Sequence, residues 1–203
     1  MRGMSPFSAC CAILSSVMAN TLRFLNLALA VFSGAALIAG QGIADSGRAE
    51  DLLEELQRPD LPNWQRVEDA LWGEWSKSGS AAMDLLLRRG RDAIEAEDYG
   101  AAIGHLTALV DHAPDFAEGY NSRALAYYRS GLYGPALADL ARTLDLNPRH
   151  FGALTGLGTL LEETGQDAAA LGAYRAAHAI HPHDPDLEDA VRRLEIVTSG
   201  RTL

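Results

Sequence analysis

The stretch NSRALAYYRSGLYGPALADLARTLDLNP, residues 121–148, decides the fold. It contains two runs in which apolar residues recur every three or four positions, as on one face of a helix, and Gly131 separates them. The stretch ends at Pro148, and two further prolines, Pro114 and Pro182, lie 34 residues before and after it. A constant period of this length predicts helical hairpins that stack into a solenoid.

Small and branched residues recur in phase with these prolines. They are Gly90, Ala124 and Gly158, then Ala102, Ala136 and Ala170, then Ile103, Leu137 and Leu171. Small side chains at these positions allow the helices to approach each other closely. Gly131 and Gly165 favour a left-handed residue at the turn between the two helices of a hairpin, whereas the first repeat has Glu97 there, which predicts a less sharp stop.

These features resemble the tetratricopeptide repeat (TPR) family, and residues 49–198 as a whole are similar to its secreted alphaproteobacterial members. The resemblance implies an all-α fold, a right-handed α-solenoid of three TPR helical hairpins. It also implies a protein that binds peptide segments or partner domains. The implied repeats cover residues 83–184, as 83–116, 117–150 and 151–184.

The segments on either side of the repeats are also expected to be helical. Residues 45–82 are interpreted as a polar linker at 45–50 followed by a degenerate leading helix pair that covers the end of the stack. In its second helix one face carries Trp64, Val67, Leu71 and Trp75. Trp72 lies off this face and is expected to be exposed. Residues 185–203 are interpreted as a capping helix, with Asp184 as its N-cap, and a disordered tail from Ser199.

The N-terminus is typical of a secretory signal peptide. Arg23 precedes an apolar run at residues 24–40, and small residues lead to a cleavage site after Ala44. Residues 1–44 are therefore predicted to be removed, with Met18 as an alternative start, and the protein is expected in a bacterial periplasm. An uncleaved inner-membrane anchor at 24–40, facing the periplasm, is the alternative, and only in that case is the membrane a partner.

The expected partner-binding surface is the groove that helix A of each repeat lines in this family. Read by phase, its residues are Leu87, Arg91 and Ile94 of the first repeat, Asn121, Leu125, Tyr128 and Arg129 of the second, and Thr155, Thr159 and Glu162 of the third. Packing within the stack is the alternative for Leu87, Ile94 and Leu125. Family members that clamp acidic chaperone tails have basic residues where this chain has Gly152 and Gly156, so that ligand is not expected.

Composition and motifs favour binding over catalysis. The 203 residues carry a net charge of −10, which argues against a nucleic-acid partner. The sequence has no GxSxG, HExxH or P-loop motif, so neither catalytic residues nor a cofactor are predicted. His181 and His183, next to Asp184, form a remote metal candidate, but Pro182 is the repeat-end proline and Asp184 is better used as an N-cap, so no metal is predicted.

Three hypotheses follow. The first is a non-catalytic adaptor of the cell envelope that binds a segment of a partner protein in the TPR groove. The second is a structural component of an envelope complex that self-associates as a homo-oligomer. The third is a metal-dependent function at His181 and His183.

Overall fold

The structure is a computed structural model that describes residues 39–200, with side chains from residue 47. The chain divides into two units, Met1–Ser46 and Gly47–Leu203, and the packing, pocket and ion pairs reported below all belong to the second. In the described part every regular element is a helix. The helices are α1 (Ala39–Leu56), α2 (Trp64–Trp75), α3 (Ala81–Glu95), α4 (Tyr99–His112), α5 (Ala117–Arg129), α6 (Tyr133–Leu146), α7 (Phe151–Glu163), α8 (Asp167–Ile180) and α9 (Pro185–Gly200).

Helices α3 to α8 form three antiparallel hairpins, and this confirms the predicted TPR solenoid. Helix A is α3, α5 or α7, and helix B is α4, α6 or α8. The turn within each hairpin has one residue in the left-handed region: Gly131 and Gly165 have φ of 74°, and Glu97 has φ of 58°. The expectation of a less sharp first turn is therefore wrong, because Glu97 adopts a conformation that glycine favours and a side chain disfavours.

The small residues at the helix seams are confirmed as packing positions. A Cβ atom on Gly90 would lie 2.5 Å from Cγ of Leu106, and one on Gly158 would lie 2.8 Å from the Tyr174 ring. Ala102, the small residue of the first helix B, is fully buried. Helices A and B of a repeat approach so closely at these points that a larger residue has no space.

The leading helix pair lies in a different place from the one expected. Leu53 and Leu56 of α1 and Leu71 of α2 are almost completely buried, but not against the first repeat. They share a core with α7, α8 and α9, whose contributing residues include Phe151, Ala170, Leu171, Tyr174, Ala177, Leu187 and Leu194. The pair therefore joins the start of the compact unit to its last repeat. The expectation that the pair covers the end of the stack as a degenerate leading repeat is wrong, because its apolar residues pack on the last repeat and α9.

Polar contacts support this placement of the leading pair. His183 Nε2 lies 2.9 Å from the backbone carbonyl of Arg58, and Arg149 forms an ion pair with Glu50. Just after α2, Ser76 Oγ accepts a hydrogen bond of 2.9 Å from Nη1 of Arg91 in the first repeat. Helix α2 thus extends from the third repeat back to the first.

The terminal expectations are met in part. Asp184 accepts a hydrogen bond of 2.9 Å from the backbone N–H of Asp186 and so caps α9, as predicted. Helix α9 extends to Gly200, past the expected start of the tail, and residues 45–50 belong to α1 and are not a linker. The predicted signal peptide at residues 1–44 lies outside the described residues apart from 39–44. Among the helices between residues 39 and 200, none combines the length and the apolar character of a membrane span.

Candidate protein-binding surface

A pocket of about 390 Å³ lies between α2 and two of the A helices, α5 and α7. Its lining is mostly apolar, with a few polar groups. The lining residues are Glu68, Trp72, Asn121, Ala124, Leu125, Tyr128, Leu140, Phe151, Gly152, Thr155, Gly156, Thr159, Leu160 and Asp184. An apolar concavity with a few polar groups is the usual form of a ligand site.

Half of the predicted groove residues meet at this pocket. Asn121, Leu125 and Tyr128 line it from α5, and Thr155 and Thr159 line it from α7. Leu125 has 43% of its surface exposed, so the packing alternative does not hold for this residue. The 34-residue period therefore correctly predicted that these residues of the second and third repeats lie on one surface.

The first-repeat residues do not contribute to the pocket. Leu87 is only 1% exposed and belongs to the core between α3, α4 and α5, and Ile94 packs against the same core. The packing alternative is therefore correct for Leu87, and Ile94 is half-buried there. Arg91 is held by a buried carboxylate, Glu118, whose oxygen lies 2.5 Å from Arg91 Nη2. These three side chains stabilise the stack and do not face the pocket.

Two other predicted residues lie outside the lining. Arg129 ends α5 and is exposed. Glu162 forms an ion pair with Arg193 of α9 and accepts a hydrogen bond of 3.4 Å from the Tyr174 hydroxyl. The hydrogen bond from Arg193 lowers the pKa of the Glu162 carboxyl, which keeps this residue charged and engaged within the chain.

Trp72 forms a wall of the pocket that the sequence did not predict. Its indole lies against Gly152, where an added Cβ would be 2.4 Å from Cη2. The rings of Trp75, His150 and Phe151 surround it at centroid distances of 5.2 to 5.4 Å. Trp72 is therefore half-buried, and the expectation that it is exposed is wrong. The signal that could have located it is the pair Gly152 and Gly156, one helical turn apart on α7, which leaves room for a large ring.

A buried polar network fixes the region where α2, α5 and α7 meet. Glu118 accepts hydrogen bonds from Arg91, from Ser122 Oγ at 2.9 Å and from Asn121 Nδ2 at 3.2 Å. His150 Nδ1 accepts a hydrogen bond from the backbone N–H of Ala153, so its Nε2 carries the proton that is donated to Glu118 at 2.9 Å.

The same network holds Glu118 ionised and steadies α2. Burial by itself raises the pKa of the Glu118 carboxyl, but the hydrogen bonds from His150 and Arg91 outweigh it and the pKa is lowered. The His150 ring stacks on Trp75 at a centroid distance of 4.4 Å, which links the network to α2. Since these residues come from four separate helices, neither periodicity nor spacing indicated their contact.

Tyr128, which lines the pocket, donates a hydrogen bond to Glu163, the neighbour of Glu162 on α7. This bond, together with partial burial, raises the pKa of the Tyr128 hydroxyl to about 12. The Tyr128 ring also stacks on Tyr133 at a centroid distance of 5.8 Å. Tyr128 therefore presents a fixed aromatic surface to the pocket.

The three residues of the metal candidate, His181, His183 and Asp184, each make a different contact and do not form a common site. His181 is completely buried, its ring packs edge-on against Trp64 and Phe151, and its Nε2 lies 3.5 Å from a Glu68 carboxylate oxygen. His183 contacts a backbone carbonyl and Asp184 caps α9. Among the described residues, no three histidine, cysteine or acidic side chains form a group suited to a metal ion.

Comparison with known proteins agrees with this architecture. The model of the family "Tetratricopeptide repeat" matches residues 87–139 and 123–185. A TPR repeat-containing protein of Rhizobium etli is 32% identical over 157 residues, which cover 76% of this chain and 77% of the relative. The chain belongs to the TPR family.

Two further TPR proteins show how far the similarity extends. Human serine/threonine-protein phosphatase 5 is 31% identical over 101 residues, which are 50% of this chain but only 20% of the phosphatase. The first TPR of Spaghetti (RPAP3), solved bound to the HSP90 peptide SRMEEVD, has a TM-score of 0.57 at 20% identity and covers 59% of this chain and 95% of its own. At that identity the structural match shows the TPR fold alone.

Proposed function

We propose that this TPR protein is a non-catalytic adaptor that binds a short segment of a partner protein in the pocket between α2, α5 and α7. The observation that carries the proposal is the pocket itself, where Leu125 and Tyr128 present apolar and aromatic surface beside the hydrogen-bonding amide of Asn121. The A helices that line it are those of a fold that holds a peptide in the Spaghetti (RPAP3) structure. The short match to phosphatase 5 gives no reason to add a catalytic role.

Partner capture by crosslinking in native cell envelopes tests this proposal. We expect wild-type protein to retain a partner that the double variant Leu125→Ala, Tyr128→Ala loses, because both anchors of the pocket are removed. The matched control is Leu137→Ala on α6, whose side chain is 40% exposed, close to the 43% of Leu125, but lies outside the pocket. Equal capture by the double variant, with its helicity unchanged, would exclude the pocket as the binding site.

The proposed compartment is the bacterial periplasm, because an apolar run at residues 24–40 follows Arg23 as in a secretory signal peptide. Cleavage after Ala44 would remove the first residues of α1 and keep Leu53 and Leu56, which the core requires. Mass spectrometry of the protein from fractionated cells tests this proposal. A chain that begins at Asp45 in the periplasmic fraction supports it. An intact N-terminus in the membrane fraction would instead support the anchor.

A second candidate function is self-association, favoured by apolar side chains on the outer surface. Leu132, just before α6, is 46% exposed, and Leu137 within α6 is 40% exposed. Ile196 of α9 is 70% exposed. Sedimentation equilibrium over a wide concentration range distinguishes the two functions. A mass that rises with concentration in wild type but not in Leu137→Ala or Ile196→Ala would favour a homo-oligomer.

A further inference from the structure

The charged groups that line the pocket are all acidic. Glu68 of α2 and Asp184 are the two ionisable carboxylates of the lining, and in the part of the chain that the structure describes no lysine or arginine lines it. Glu163 does not line the pocket, but it accepts a hydrogen bond from Tyr128, which does, and so adds a third carboxylate nearby. A ligand that enters the pocket therefore meets apolar walls and negative charge at its edge.

No arginine of the lining offsets these carboxylates, and two arginines of other helices are engaged with carboxylates elsewhere. Arg91 is paired with the buried Glu118, and Arg193 is paired with Glu162. Arg129 is exposed at the end of α5, outside the lining. Glu68 has two existing partners, since Trp72 Nε1 donates a hydrogen bond of 3.3 Å to one oxygen and His181 Nε2 lies 3.5 Å from the other. A quarter of the Glu68 side chain is still exposed, and this part is accessible to a cation of the ligand.

We infer that the pocket selects a cationic amphipathic segment: an apolar side chain flanked by lysine or arginine residues of the partner. This inference rests on the proposed function and specifies its ligand. The apolar side chain fills the space between Leu125, Tyr128 and Trp72, and the flanking cations pair with Glu68 and Asp184. An acidic peptide such as SRMEEVD, held by the Spaghetti (RPAP3) domain, would bring carboxylates against these carboxylates and is disfavoured here.

Fluorescence polarisation with three labelled 12-residue peptides tests the inference on the full chain. The peptides share a central Leu-Phe pair and differ only in four flanking positions, which are all lysine, all glutamine or all glutamate. Because exposed ion pairs are individually weak, we expect the lysine peptide to bind about threefold to tenfold more tightly than the glutamine peptide at low salt. The glutamate peptide is expected to bind the most weakly.

The double variant Glu68→Gln, Asp184→Asn tests the assigned carboxylates. The first change keeps an amide oxygen that can accept the hydrogen bond of the Trp72 indole, and the second leaves an asparagine, which is also a good N-cap, so the fold is preserved. The expected result is that the lysine peptide loses its advantage while the glutamine peptide binds as before. The matched control, Glu54→Gln with Asp145→Asn, removes two exposed acids outside the pocket and should leave the advantage unchanged.

The remaining outcomes separate this inference from the proposed function. Equal binding of all three peptides, lost in Leu125→Ala, would overturn the charge preference and leave the pocket as a binding site. Preference for the glutamate peptide would overturn the inference in the same way and would direct attention to Arg129. Binding that is absent for every peptide, or that persists unchanged in Leu125→Ala, would overturn both proposals.

Discussion

Replacement of Gly152 by alanine provides a direct test of the position of α2. The added Cβ would lie 2.4 Å from Cη2 and 3.0 Å from Cζ2 of Trp72, both closer than carbon atoms pack. The indole is rigid and packs against the rings of Trp75, His150 and Phe151, so it can move away from the new Cβ only by breaking these contacts. Either the ring or helix α2 must then shift, and we expect an overpacking cost of about 1–3 kcal/mol in the free energy of unfolding.

The control is Gly172→Ala on α8, where an added Cβ has no neighbour within 4 Å. Alanine is the better helix former, so this variant should be more stable by about 0.5–1 kcal/mol. Thermal unfolding followed by circular dichroism should show melting temperatures that shift in opposite directions, by roughly 2–4 °C for each kcal/mol in a domain of this size.

A third variant tests whether the Trp72 ring causes the clash with the added Cβ of residue 152. Trp72→Leu removes the six-membered ring that carries Cη2, so adding Gly152→Ala to it should restore or raise stability. The coupling between the two positions is expected to be about 1–3 kcal/mol, as for residues in direct contact. If Gly152→Ala were as stabilising as Gly172→Ala, or if its effect did not depend on residue 72, then α2 would not lie against α7.

Three further changes test the stack and its buried network. Glu97→Gly should stabilise the protein by about 1 kcal/mol, since it removes a side chain from a residue in the left-handed region. Gly131→Ala should destabilise the protein by about the same amount, because it adds a side chain to such a residue. Urea unfolding of both variants measures the two effects. Gly90→Ala should cost about 1–3 kcal/mol in thermal unfolding, because its Cβ would overlap Leu106, and an unchanged melting temperature would contradict the close seam. Glu118→Gln should be destabilising at neutral pH. The lowered pKa of Glu118 gives stability that is present above the ordinary carboxyl value and lost as pH falls through the folded value, so urea unfolding at several pH values should show the deficit shrinking below about pH 4.3.

The local elements of the fold could be predicted from sequence because they depend on short-range patterns. The 34-residue period located the three hairpins, and Gly131 and Gly165 marked turns that are left-handed in the structure. The same phase correctly grouped Leu125 and Tyr128 with Thr155 and Thr159 at one surface. The left-handed conformation of Glu97 was not predicted, because the repeat imposes this turn on whatever residue occupies the position.

The position of the leading pair could not be predicted, because it depends on contacts between distant parts of the chain. An apolar face predicts that a helix packs against another element, but it does not identify that element. Leu71 would fit equally well in a core formed with either end of the stack. The deciding features are complementary shapes: the missing side chain of Gly152 and the ring of Trp72, 80 positions earlier in the chain. The ionic network around Glu118 is likewise formed only when α3, α5 and the N-cap of α7 meet.

The contact of α1 and α2 with the last repeat limits how this protein can change in length. An open repeat stack gains or loses units freely, because each repeat contacts only its neighbours. Here Glu50 meets Arg149 and Arg58 meets His183 across 99 and 125 positions of sequence, so the beginning and end of the compact unit depend on each other. A 34-residue unit inserted between the second and third repeats would move α7 away from the first repeat, and α2 is too short to reach both. The number of repeats is therefore set by the span of one twelve-residue helix.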